Sequence, residues 1–138
     1  MAQLITPTIE ISASQTEHLI SMAALTSPNE ICGMLAGNSG VVEKIIPITN
    51  ISNSPSTYKM DPQDQISAFY QLEQLNYELI AFYHSHPLSP PYPSHTDLTE
   101  WTYPEIPSVI IGLNINQWRI RGFLLSGHGF LQIEVKTS

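Results

Sequence analysis

The chain has 138 residues, 42% of them hydrophobic, a single cysteine, and a formal charge of −7 from 12 acidic and 5 basic side chains. That is the size of one ordinary domain, expected over residues 1–138, with enough core to fold without disulfides. So few Lys and Arg argue against a nucleic-acid partner, which needs a basic face for phosphates, and no run approaches the ~20 apolar residues of a membrane span.

The opening MAQLITPTIEISASQ lacks the basic and apolar regions of a signal peptide. With the lone Cys32, this predicts a cytoplasmic, reducing setting. Thr8 to Ile11 predicts a short strand, and Ser12 to Ala24 a helix. CGMLAG (Cys32 to Gly37) and VVEKIIPIT (Val41 to Thr49), split by Asn38-Ser39-Gly40, predict a hairpin. A Ser- and Asn-rich loop spans Thr49 to Thr57. Asp61-Pro62 is a helix start, with Asp as N-cap and Pro in the first helical position. The helix it opens carries Ile66, Phe69, Tyr70, Leu72 and Leu75 as its apolar stripe. ELIAFYH (Glu78 to His84) predicts a buried strand and Ser94 to Trp101 a short helix. PSVIIGLN, QWRIRGFLL and FLQIEVK then supply three strands. Strands alternating with helices predict an α/β fold, a mixed β-sheet flanked by helices.

HSHPLSPPYPSHTD, residues 84 to 97, holds three of the five histidines and four prolines. Proline fixes φ and has no N–H, so this connection is neither a regular helix nor a central strand. His84 and His86 stand at i and i+2 at a strand end, on one face and roughly 6.6 Å apart. Two imidazoles so placed can converge on one ion, and a catalytic zinc takes a third protein ligand. Asp97 reaches them only if the loop doubles back, since ten extended residues would span ~33 Å. Prolines lower the entropy lost in that return. A structural reading stands beside the metal reading: Ser94-x-x-Asp97 is also a capping box. Metallo-β-lactamase, cupin and amidohydrolase versions of His-x-His do not fit, for lack of the following Asp and His, the following Glu, or the ~200 residues of a barrel.

His84-Ser85-His86-Pro87, then Ser94 and Asp97, resembles the signature of the JAMM (MPN+) metalloproteases, and Glu30-Ile31-Cys32-Gly33 resembles that family's upstream glutamate element. The resemblance implies a JAMM/MPN domain of cytidine-deaminase-like three-layer architecture, in its compact prokaryotic form. It implies one Zn2+ per chain on His84, His86 and Asp97. It also implies Glu30 as the proton-shuttling base and Ser94 as a hydroxyl beside the oxyanion. Glu30 also has a structural reading, as the end of a Ser27-Pro28-Asn29-Glu30 helix start, which Gly33 and Gly37 oppose. Ser85 is expected to face away from the metal, Cys32 to be a small buried residue, and His95 and His128 to be exposed. Trp101 and Tyr103 are expected to pack, and His18 carries no signal. The substrates implied are peptide or isopeptide bonds, at the Gly-Gly tail of a ubiquitin-like or sulfur-carrier protein. Two alternatives stay open: a non-catalytic MPN-type binding module, and a non-haem iron protein with two histidines and one aspartate as ligands.

Overall fold

A computed structural model describes residues 6–52 and 54–138. The order of elements is β1 (Thr8–Ile11), α1 (Ala13–Thr26), β2 (Cys32–Asn38), β3 (Val41–Ile48), α2 (Pro62–Leu75), β4 (Glu78–His86), α3 (His95–Glu100), β5 (Ser108–Asn114), β6 (Gln117–Ser126) and β7 (Gly129–Thr137). Local chemistry sets the boundaries. Ser12 caps α1 in a reciprocal capping box with Gln15. Asp61 caps α2 with Pro62 in its first turn. The β2–β3 hairpin turns on Ser39 and Gly40, both at positive φ, as a two-residue hairpin requires.

The strands form one mixed sheet in the order β1-β3-β2-β4-β5-β6-β7. It closes on itself because β1 runs parallel to both β3 and β7. Alternation along the strands sorts the core into two sides. Leu35, Ala81, Tyr83, Val109 and Ile111 pack with Leu19 and Ala23 of α1. Met34, Ala36 and Phe82 pack with Ala68 and Leu72 of α2 on the other side, giving the expected helix–sheet–helix layering. Seven successive residues of β4, Ile80 to His86, are buried, as for a strand covered on both faces.

Two expectations and one alternative reading need correction. First, α2 does not bury its whole stripe: Leu72 is buried, but Ile66 and Tyr70 are 67% and 64% exposed. The sheet accepts the small Ala68 one turn before Leu72, and that contact rotates the larger side chains outward. Second, β4 continues through His86 rather than stopping at His84, so both histidines belong to the strand. Third, residues 27–31 form no helix, and the structural reading of Glu30 as a helix-start residue fails.

The proline segment returns over β5. The Leu113 N–H donates to the Ser89 carbonyl at 2.9 Å, and Pro91 sits buried on Gly112. A Cβ on Gly112 would stand 2.4 Å from the Pro91 nitrogen, so only glycine allows this approach. Gly112→Ala is expected to lose about 1–3 kcal/mol of stability and to loosen metal binding, because the loop carrying Asp97 must lift. Gly127→Ala, with nothing within 4 Å of its Cβ, is the control and should stay within about 0.5 kcal/mol. Denaturant midpoints and metal content of the two variants check both expectations.

Candidate metal centre and active site

Alternation along β4 puts Phe82, His84 and His86 on one face, the side of the sheet that α2 covers. Asp97 is the third residue of α3 and arrives behind the proline segment. The three donor atoms lie at the corners of a near-equilateral triangle. His84 Nε2 and His86 Nε2 are 3.0 Å apart, and Asp97 Oδ2 is 3.2 and 3.1 Å from them. Tetrahedral zinc with bonds of 2.0–2.1 Å separates its ligand atoms by about 3.3 Å, so the donor set fits that ion.

The surroundings fix the rings. The Nδ1–H of His86 points to the Pro90 carbonyl at 3.3 Å, which leaves Nε2 with its lone pair toward the centre. Tyr58 stacks on His84, ring centroids 4.5 Å apart. Asp97 keeps its capping role as well: its Oδ2 accepts from the Ser94 N–H at 2.9 Å, and its own N–H donates to Ser94 Oγ at 3.1 Å. The capping and metal readings of Asp97 are therefore compatible. Because Ser94 Oγ accepts that bond, its hydroxyl proton stays free to donate.

Electrostatics follow burial and this triangle. Burial lowers His84, against the pull of Asp97. Burial alone would lower His86 too, but the hydrogen bond and charge of Asp97 prevail and raise it. Burial would raise Asp97, yet the two imidazoles and the Ser94 amide hold it well below the usual carboxylate range. Burial pushes the Glu30 carboxyl up to about 7, with His86 drawing it down and Asp97 pushing it up. Burial and then Glu30 push the Cys32 thiol up to about 12, so Cys32 stays a protonated, buried side chain.

Glu30, His86 and Ser94 border one cleft of about 480 Å³, with Pro55, Ser56 and Tyr92 among its walls. The structure thus gathers all five residues singled out from the sequence. His95 and His128 are exposed as expected, and Trp101 and Tyr103 pack on Phe82. Ser85 is fully buried and turned toward Ile31, whose N–H donates to Ser85 Oγ at 2.8 Å.

Two supporting residues escaped the sequence reading. Asn50 Nδ2 donates to the Glu30 carbonyl at 2.9 Å, while its Oδ1 accepts from the Ser52 and Lys59 amides. With Ser85 on the following residue, the backbone carrying Glu30 is held from two sides. Tyr58 is the second. No local pattern marks either role, because Glu30, which Asn50 holds, and His84, on which Tyr58 stacks, lie far along the chain.

The profile described as prokaryotic homologs of the JAB domain matches residues 12–121. The chain belongs to that family. A CysO-cysteine peptidase of Mycobacterium tuberculosis is 33% identical over 103 residues, 73% of this JAB-family chain and 70% of that protein. A desampylase of Haloferax volcanii is 37% identical over 90 residues, 63% of this chain and 65% of that protein. A solution structure of a Desulfitobacterium hafniense protein superposes with a TM-score of 0.84 at 28% identity, covering 94% of this chain and 92% of that one.

Proposed function

We propose that this JAB-family chain is a zinc-dependent hydrolase of peptide or isopeptide bonds, acting at the Gly-Gly tail of a ubiquitin-like or sulfur-carrier protein. One observation carries the reading: three metal-donor atoms within 4.8 Å of one another adjoin a cleft that also holds a buried carboxylic acid, Glu30. His84, His86 and Asp97 would hold the ion. When bound, zinc lowers the pKa of a coordinated water from 15.7 to about 7. Glu30 takes the proton of the attacking water and hands it to the departing nitrogen, a task suited to a carboxyl poised near neutrality. Ser94 donates its free hydroxyl proton to the oxyanion that forms on the substrate carbon. One of the two relatives is named a CysO-cysteine peptidase and the other a desampylase, and a peptidase among them supports the hydrolase reading.

An extended tail suits the cleft, and glycines bring no side chain to meet Pro55 and Tyr92. Tails ending Gly-Gly, Gly-Val and Val-Val before the scissile bond are expected to fall in kcat/KM in that order, by about 1–3 kcal/mol per misfit. Equal cleavage of the three would remove the basis for a Gly-Gly tail. Elemental analysis of the active protein separates zinc from redox-active iron. No helix among the described residues is long and apolar enough to cross a membrane.

A further inference from the structure

Two of the chain's five basic side chains, Arg119 and Arg121, stand two apart on β6 and so share one face of the sheet. It is the face that carries the donor set. Arg121 pairs across the sheet with Ile110, and Ile110 with His84. Arg119 pairs with Gly112, and Gly112 with His86. Each arginine therefore lies in line with one histidine, two strands away, at a backbone separation of about 10 Å. The proline segment lies between them, seated on Gly112.

Tyr92 of that segment joins the two regions. It is a wall of the cleft, and the Arg121 guanidinium lies over its ring, with Cζ 5.4 Å from the centroid. The same ring meets Phe123, which stands at right angles to Phe130. Tyr92 and Phe130 are 43% and 49% exposed, so a surface of two aromatic rings and two arginines runs from the cleft across β6 to β7. Arg121 is half-buried and its charge is not met. Its Nε is buried without a hydrogen-bond partner. Among the described residues no ion pair involves it, and Glu134 of the neighbouring strand is paired with Lys136. A guanidinium held only by an aromatic face gains most from an incoming carboxylate, which it can bind through two parallel N–H donors. The rest of the chain sets twelve acidic side chains against Lys44, Lys59 and Lys136, so an acidic partner is repelled elsewhere and drawn to this surface.

We propose that Tyr92, Arg121 and Arg119 dock the substrate protein next to its tail, and that the docked segment is acidic. This rests on the hydrolase reading above. The test uses the zinc-loaded full chain and three labelled tail peptides that share one Gly-Gly end. They differ in a short block just before it, made of aspartate, asparagine or lysine. Fluorescence anisotropy is expected to show the aspartate peptide binding at least about tenfold tighter than the lysine peptide, with the asparagine peptide between them. The gap should shrink at high salt. The same peptides joined to a fluorogenic amine after Gly-Gly should be cut in the same order, through KM rather than kcat. Arg121→Gln should bring the aspartate-to-asparagine ratio to about one. Arg121→Lys keeps the charge without the fork and should retain part of the ratio. A purely structural role for Arg121 would weaken all three peptides alike and leave the ratio standing. That outcome, or equal binding of the three peptides by the wild-type chain, overturns the proposal and leaves the hydrolase reading intact. Ranked binding that Arg121→Gln abolishes, with no cleavage of any peptide, overturns the hydrolase reading and upholds the surface.

Discussion

Asp97→Ala and His86→Ala proteins are expected to lose the single zinc proposed for the wild-type chain. Either change opens a corner of the 3.0–3.2 Å donor triangle and leaves two ligands where a catalytic zinc takes three. The loss in affinity should exceed the about 10–100-fold that removal of a supporting partner causes. Asp97 also caps α3, so its removal acts on the helix as well. Ser94→Ala separates the two effects: it removes the N-cap at a cost of about 1 kcal/mol and should leave the zinc in place. Elemental analysis after dialysis checks all three variants, and wild-type zinc content in both Asp97→Ala and His86→Ala would sink the ligand assignment.

Glu30→Gln should separate chemistry from binding. Glutamine keeps the shape and cannot take a proton, so the variant should hold zinc as tightly as wild type and lose about 10²–10⁴-fold in hydrolysis. Its stability gives a second readout in metal-free protein. The folded-state pKa of Glu30 is raised from 4.5 to about 7, so the folded chain holds this proton more tightly than the unfolded chain. The cost of ionising it therefore appears as pH rises through that window and is complete above pH 7. It amounts to at most about 3 kcal/mol, reduced by water in the open cleft. Metal-free Glu30→Gln should thus be more stable than metal-free wild type at pH 8, with the advantage gone by pH 4. A variant that cuts at the wild-type rate would remove Glu30 from the mechanism.

What could be read in advance follows from the range of each interaction. His84 and His86 are legible because a period of two puts them on one strand face whatever the rest of the fold does. Asp97 is legible through its spacing in the signature, although the same residues spell a helix cap, and the structure shows the cap formed around the donor atom. Asn50 and Ser85 hold the Glu30 segment through partners 20 and 54 positions away, and nothing local announces such bonds. The stripe on α2 misleads because periodicity ranks residues by apolarity, whereas the sheet selects the small Ala68 by fit. Closure of the sheet by β1 leaves no trace in the pattern either, since four residues pair with a strand at the far end of the domain.

That closure has a consequence for how the chain folds. Pairing Thr8 with Glu134 closes a loop of about 126 residues (134 − 8), and the entropy of closure grows with loop length. At roughly 5–20 residues per second of synthesis, β1 waits several seconds for its partner, held until then by the single Glu10–Val41 pair with β3. The strands that carry the donor set find their partners much sooner: β2 turns straight into β3, and β4 pairs with β2 across a shorter loop. The order expected from contact separation is therefore a metal-bearing half that assembles first and a seam between β1 and β7 that zips last.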